Sequence, residues 1–235
     1  MNSSTLVGKH KGASFLVAGS APSLADMDLY LPDEVVTIGS NRILNHPYFK
    51  PDYVMLCDRQ PYKIDYDAGV YHEHVDIVKY LVSTTLYDPK IDCRGFAVVP
   101  KPDFPFYPWR VGTMSAGINL TDFETRFCSF ATIAGPMIQA AVIMGARRIG
   151  VVGVDLQVPK LGESHFYKDA KGERVIPEKG SDTCIAKRGT MERFLDLKRM
   201  LVDRGIEIDN LSPVEDSPFA SVFPSSSFDK WVRNA

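Results

Sequence analysis

Small and polar residues follow the first apolar run of the chain, and their types suit contact with a phosphate group. Residues 15–18 are apolar, and the turn after them consists of Gly19, Ser20, Ala21, Pro22 and Ser23. Glycine permits backbone angles that other residues resist, and small side chains let an anion approach backbone N–H groups. We therefore predict a phosphate seat in this 19–23 loop, although a generic strand-to-helix turn has the same composition. A β-branched residue at position 19 is expected to block binding and leave the fold intact.

Polar residues also follow three other apolar runs. They are Asn41 and Arg42 after residues 34–39, Asp58 after residues 52–57, and Asp155 after residues 148–154. In parallel sheets, ligands bind outside the carboxyl ends of the strands. A shared ligand explains four such polar ends better than chance does, so we predict that all four contact one nucleotide.

A possible general base and two cations lie between Asp155 and the last helical segment. His165 follows Ser164 in a loop rich in glycine and lysine, and an imidazole that titrates near neutral pH suits the removal of a proton. Lys187 and Arg188 are candidates to neutralise a leaving phosphate. Ordinary surface charge explains all three residues equally well.

Metal ligands are not grouped in a convincing way. His72 and His74 are two apart, but no third ligand is evident, so we predict a solvated segment and no metal site. The cysteines at positions 57, 93, 128 and 184 form no CxxC pair. Structural zinc and a disulfide framework are therefore unexpected, which is typical of proteins in a reducing cytoplasm.

Composition excludes several classes of protein. With 235 residues, of which 45% are hydrophobic and 24% charged, the chain can bury one substantial core. A net charge of −2 argues against nucleic-acid binding. The first residues are polar and the longest apolar segment, residues 131–146, contains Pro136. We therefore expect neither a signal peptide nor an integral membrane segment, and we expect a cytoplasmic protein.

Apolar strand patterns alternate with helical ones along the chain. Strands are predicted at residues 14–18, 34–39, 52–57, 96–99, 148–154 and 206–208, and helices at residues 132–144 and 190–204. Residues 68–81 are ambiguous, with a weak helical pattern among their apolar residues. The proline-rich residues 101–109 are predicted to form a loop whose aromatic residues pack in the core. This alternation predicts an α/β fold: one doubly wound, mostly parallel, Rossmann-like sheet with helices on both faces. We expect a single domain over residues 1–235, with a Ser/Pro-rich tail from about residue 212.

The motifs, taken in order, resemble a known superfamily. Gly-x-x-Pro-Ser-Leu at residues 19–24, Ser-Asn-Arg at 40–42 and Pro-Asp-Tyr-Val-x-x-x-Asp at 51–58 are similar to a bacterial branch of it. Val-Gly-Val-Asp at 152–155, His-Phe-Tyr at 165–167 and Asn-Leu-Ser-Pro at 210–213 also match. The superfamily includes the single-domain bacterial sialyltransferases and the archaeal hydroxymethyl-dihydropterin pyrophosphokinases. The resemblance covers nearly the whole chain.

The sialyltransferase branch implies roles for individual residues. The 19–23 loop would hold the phosphate and ribose of the donor, and Asn41 and Asp58 would contact the nucleotide. The turn that leads into Ala134 and Gly135 would bind the cytosine or sugar-phosphate part at a helix N-terminus. Two departures stand out: the family's Gly-Asn-Gly is Gly-Ser-Ala here, and the family's base histidine falls near Arg188.

These observations predict a nucleotide-dependent transferase. A metal-independent, inverting glycosyltransferase with a nucleotide-sugar donor as substrate is favoured, with His165 and Arg188 as catalytic residues. One alternative is a pyrophosphokinase-like enzyme that uses ATP and magnesium on a small heterocycle, in which Asp58 and Asp155 would hold the metal. The other is a non-catalytic nucleotide- or sugar-binding protein. No resident cofactor is expected in the favoured case, and a homo-oligomer is possible.

Overall fold

A single parallel sheet organises the chain. The structure is a computed structural model, and it describes residues 1–88, 99–156, 166–167 and 189–235. Within these residues the strands are β1 (Ser14–Ala18), β2 (Val36–Ser40), β3 (Tyr53–Leu56), β4 (Lys79–Ser83), β5 (Phe106–Trp109), β6 (Arg148–Val152) and β7 (Glu207–Asn210). Their order in the sheet is β5-β4-β3-β2-β1-β6-β7, and every pair of neighbours is parallel. The predicted doubly wound α/β sheet is confirmed.

The central strands are apolar because both of their faces are covered. In β1, Phe15 and Val17 belong to one core cluster, whereas Leu16 and Ala18 belong to the cluster on the opposite face. Successive side chains of a strand point to opposite faces, so a strand covered on both sides reads as a continuous apolar run. This is why β1, β2, β3 and β6 could be predicted from the apolar runs in the sequence.

Helices pack on both faces of the sheet. They are α1 (Arg59–Asp67), α2 (Ala134–Met144), α3 (Thr190–Val202), α4 (Pro218–Val222) and α5 (Phe228–Val232). Helices α2, α3 and α4 contribute to one core cluster, whereas Tyr62 of α1 and Trp231 of α5 belong to the other. The end of α2 at Gly145 (φ 103°) lies beside residue 12, before β1. The first turn of α2 therefore faces the carboxyl edge of the sheet.

The interpretation of residues 68–81 as helical is wrong. A short 3-10 helix spans His72–His74, and β4 begins at Lys79. Tyr80 and Leu81 lie in opposite core clusters, as expected of a strand. Pairing with β3 and β5 buries β4 and so overrides the weak helical pattern.

The prediction of a loop over residues 101–109 is wrong in its second half, where β5 forms. Pro108 lies within β5, and proline is tolerated there because β5 is an edge strand with only β4 beside it. The predicted packing of the aromatic residues is confirmed, since Phe104, Tyr107 and Trp109 are buried. Residues 96–98 of another predicted strand lie outside the described residues.

The Ser/Pro-rich residues from 212 onward contain ordered, packed elements. Helix α4 forms within them and α5 follows, and Phe219, Phe223 and Trp231 are fully buried. The side chains of Ser217 and Ser227 cap the two short helices. Among all the described residues, no helix has the length and apolar character needed to cross a membrane.

Candidate functional site

β1 and β6 remain in contact beyond their ends, at the point where the chain reverses its direction across the sheet. The Gly19 N–H donates to the Val152 carbonyl and the Ala21 N–H to the Gly153 carbonyl, each at 2.9 Å. A β-carbon on Gly19 would lie 2.1 Å from the Gly153 oxygen. Doubly wound folds bind ligands at this reversal point. The contact therefore places the 19–23 loop where a ligand is expected.

This contact corrects two expectations about Gly19. Its φ is not positive, so glycine is required for close backbone approach and not for special backbone angles. A side chain at position 19 would push β1 and β6 apart, so a substitution there would not spare the fold. The N–H groups of Gly19 and Ala21 are engaged within the protein. Any phosphate contact must come from other groups of the loop.

Asp155 joins the loops that follow three strands. Its Oδ1 accepts hydrogen bonds from Ser23 Oγ at 2.8 Å and Ser212 Oγ at 2.6 Å. Asn210 Oδ1 in turn accepts from the Ser212 N–H at 3.1 Å. Asp155 is 5% exposed, so the carboxylate fixes the ends of β1, β6 and β7 relative to one another. We call Ser23, Asp155 and Ser212 the serine–aspartate cluster.

Ser212 belongs to the Asn-Leu-Ser-Pro motif at residues 210–213 but was not predicted as a candidate site residue. It follows Asn210, the last residue of β7, by two residues. The rule that polar residues follow apolar strands did not identify it, because β7 itself ends in Asp209 and Asn210.

Asn41 and Asp58 are brought together at the ends of β2 and β3. Asn41 Nδ2 donates to Asp58 Oδ2 at 2.7 Å, and Asn41 Oδ1 accepts from the Cys57 N–H at 3.3 Å. Asn41 has a φ of 40°, in the left-handed region that asparagine enters more readily than most residues. The pair lies at the same edge of the sheet as the serine–aspartate cluster.

Arg42 is buried and paired inside the protein. Its Nε donates to Asp65 Oδ1 at 3.0 Å, and the side chains of both residues are less than one-tenth exposed. Asn45 Nδ2 donates to Asp65 Oδ2 at 3.0 Å. The predicted nucleotide contact of Arg42 therefore competes with an internal carboxylate. Asp65 lies in α1, which the sequence pattern did not indicate, so this partner was missed.

Phe166 and Tyr167 lie against the 19–23 loop and the segment after β2. The Phe166 N–H donates to the Ser20 carbonyl at 3.0 Å, and its ring lies 5.4 Å from that of His46. The Arg42 guanidinium carbon lies 4.7 Å from the centre of the Tyr167 ring, a cation–π distance. His165 and Arg188, the predicted catalytic residues, lie outside the described residues, as does Lys187.

Ala134 and Gly135 occupy the first turn of α2 and are buried. A β-carbon on Gly135 would lie 2.1 Å from the Phe130 ring, so glycine lets α2 pack on this ring. Thr132 Oγ1 accepts from the Ala134 N–H at 3.4 Å. The turn is oriented toward the carboxyl edge, as an anion-binding helix N-terminus requires.

Carboxylates and histidines are dispersed in the part of the chain that the structure describes, where no three metal-binding side chains form a group. His72 Nε2 donates to Asp103 at 2.8 Å, and His74 Nδ1 donates to the Val70 carbonyl at 2.8 Å. Asp58 follows β3 and Asp155 follows β6, three strand spacings apart, which corresponds to about 14 Å. These two carboxylates therefore cannot hold one metal ion together.

Comparison with known proteins supports the fold. No protein-family model matches the chain, and a search of curated protein sequences gives no significant match. Among solved structures, the fold is similar to that of the monofunctional alpha-2,3-sialyltransferase Cst-I from Campylobacter jejuni. The TM-score is 0.54 at 15% sequence identity, over 92% of this chain and 80% of that one. The chain thus has a sialyltransferase-like fold.

Proposed function

We propose that this protein is an inverting, metal-independent glycosyltransferase that uses a nucleotide-sugar donor. The observation that carries the proposal is the convergence of three polar groups at the carboxyl edge of a sialyltransferase-like sheet. These groups are the 19–23 loop, the Asn41–Asp58 pair and the serine–aspartate cluster. They occupy the ends of β1, β2, β3, β6 and β7, around the reversal point where such folds bind nucleotides.

The described residues favour a nucleotide held by hydrogen bonds. Asn41 and Asp58 offer amide and carboxylate groups that suit a base or a ribose hydroxyl. The N-terminus of α2 directs the positive end of the helix dipole toward a phosphate at this edge. The serine–aspartate cluster keeps the 19–23 loop in place. Nucleotide recognition here would therefore rest on prearranged polar groups rather than on a bridging cation.

The chemical step requires a proton acceptor, and we assign it to His165. The acceptor hydroxyl oxygen attacks the anomeric carbon of the donor sugar and forms the new C–O bond. The bond from that carbon to the phosphate oxygen breaks, and the leaving phosphate takes the electron pair. His165 receives the acceptor proton, and Arg188 compensates the charge of the leaving group. Support comes from Phe166, the chain neighbour of His165, whose N–H donates to the Ser20 carbonyl.

Magnesium-dependent transfer from ATP is the weaker alternative. It would use Asp58 and Asp155 as joint magnesium ligands. Their separation across four strands is unfavourable for that role. Asp58 is also hydrogen-bonded to Asn41, and Asp155 to two serine hydroxyls.

Donor turnover with and without His165 tests the proposal. Purified protein is incubated with CMP-, UDP- and GDP-sugars in EDTA, and release of the nucleotide is followed. We expect turnover of one donor class and a loss of roughly a hundred- to ten-thousand-fold in His165→Ala. His74→Ala is the matched control and should retain the wild-type rate, because His74 bonds the Val70 carbonyl. Equal rates for the wild type and His165→Ala would contradict the assignment.

A further inference from the structure

A cavity lies beside the candidate site. It has a volume of about 810 Å³, is partly open to solvent, and is lined by residues between Ala25 and Thr37 and between His46 and Asp52. Ala25 belongs to the 3-10 helix Pro22–Asp26, which begins within the 19–23 loop, and it forms part of the cavity wall. This volume lies in the range of about 300–1000 Å³ that is typical of small-molecule sites. Of the predicted site residues that the structure describes, none lines this cavity, so it is a separate feature.

Two exposed tyrosines stand at this cavity. Tyr30 and Tyr48 line it, and they are 84% and 94% exposed. The other eight tyrosines of the chain are buried or half-buried. A tyrosine ring presents a flat apolar face together with a polar hydroxyl. Two such faces on one cavity indicate a surface that a ligand can cover.

The charged groups of the cavity indicate the charge of that ligand. Asp52 accepts hydrogen bonds from Thr37, and Lys50 Nζ donates to two backbone carbonyls at 2.7 and 2.8 Å. Both groups are therefore committed within the protein. Asp28 and Asp33 are exposed and make no hydrogen bond or ion pair among the described residues. The side chains left for a ligand are the two carboxylates, the two tyrosines and His46, whose Nε2 has no hydrogen-bond partner among the described residues. The two carboxylates disfavour an anion.

We propose that this cavity binds a neutral saccharide. Sugar hydroxyls are donors that suit the carboxylates of Asp28 and Asp33. The apolar C–H faces of sugar rings suit the exposed faces of Tyr30 and Tyr48. A small organic cation would match the charge but would leave most of the 810 Å³ empty. A wholly apolar ligand would bury the two carboxylates without partners. The argument uses only the cavity and does not rest on the proposed transferase activity.

Saturation-transfer NMR with neutral disaccharides tests this binding site. The probes are lactose, maltose and cellobiose, added singly to the full chain. We expect saturation transfer to at least one of them, with affinity about five-fold weaker in Tyr48→Ala and in Tyr30→Ala. Both side chains are exposed, so neither variant should unfold. Leu195→Ala is the matched control, because Leu195 is an exposed apolar residue outside the cavity lining, and its affinity should equal that of the wild type.

A second variant and a competing probe complete the test. Asp33→Asn should weaken disaccharide binding and leave nucleotide binding unchanged, which separates this proposal from that of the transferase site. The proposal is overturned if none of the three disaccharides binds, or if Tyr30→Ala and Tyr48→Ala bind as well as Leu195→Ala. Displacement of the disaccharide by millimolar tetramethylammonium would show a cation site instead.

Discussion

The α-carbon of Gly19 faces the carbonyl oxygen of Gly153 so closely that a β-carbon would lie 2.1 Å from that oxygen. The loops after β1 and β6 are therefore in backbone contact at the reversal point. Asp155 follows Gly153 by two residues and bonds Ser23. The close contact between Gly19 and Gly153 thus also brings Ser23 and Asp155 within hydrogen-bond distance.

Gly19→Ala should destabilise the fold strongly. Because the obstructing atom is a backbone oxygen, the strands must shift, and we expect a loss of about 3 kcal/mol in the free energy of unfolding. Gly117→Ala is the matched control, since a β-carbon there meets nothing within 4 Å. Urea denaturation of both variants measures the difference. Equal stabilities would show that the loops after β1 and β6 do not approach closely at Gly19.

Asp65→Asn should be far more costly than Asp67→Asn. Asp65 is buried against Arg42, and breaking a buried pair from one side leaves a charge uncompensated, at a cost of about 3 kcal/mol. Asp67 forms an exposed pair with Lys63 one helical turn away, and such pairs contribute less than about 1 kcal/mol. Thermal unfolding compares the two. A similar loss in both variants would mean that Arg42 is not held by Asp65.

Ser212→Ala should weaken nucleotide binding through Asp155. Loss of the hydroxyl removes one hydrogen bond to Asp155 Oδ1 and loosens the 19–23 loop, so we expect a dissociation constant about five- to ten-fold higher. Ser221→Ala is the control, because Ser221 bonds the Pro218 carbonyl in α4, away from the edge. Calorimetric titration distinguishes them. An unchanged dissociation constant in Ser212→Ala would remove the cluster from the proposed site.

Much of the fold could be predicted from the sequence because the central strands are covered on both faces and are therefore continuously apolar. β1 and β6 are continuous apolar runs because nearly all of their residues are buried. β4 and β5 were missed because they lie toward one edge of the sheet and take their structure from their neighbours. Their sequences contain polar residues and proline that locally favour other structures.

The site was less predictable than the fold. The rule that polar residues follow strand ends placed Asn41, Asp58 and Asp155 at one edge. It did not reveal that Asp65 pairs with Arg42, because that pairing depends on how α1 packs. The sequence also did not show whether Gly19 is needed for its backbone angles or for the close approach of the Gly153 carbonyl. Both distinctions require the positions of residues that are distant in sequence.

Acid should destabilise the protein through two histidines. Burial lowers the pKa of His46 and of His10 below the ordinary value of 6.5, with smaller contributions from Lys50 and Lys9 respectively. The backbone of Leu24 and the Asp52 carboxylate oppose part of these shifts. The unfolded chain therefore binds protons more readily than the folded one.

The free energy of unfolding contributed by these groups is fully present above pH 6.5 and is lost as the pH falls below it. Urea denaturation at pH 7.5, 6.0 and 5.0 measures this decline. His46→Gln, which cannot be protonated, should flatten it. A stability that rises toward pH 5.0, or a decline unchanged by the substitution, would contradict the assignment.

Isothermal titration of nucleotides in EDTA tests the central claim most directly. We expect a pyrimidine nucleotide, CMP or UMP, to bind the wild-type protein without a divalent cation. Asn41→Gly, which keeps the left-handed backbone (φ 40°) and removes only the amide, should bind about ten-fold more weakly. Failure of every nucleotide to bind in EDTA, or binding of ATP that requires magnesium, would contradict the account.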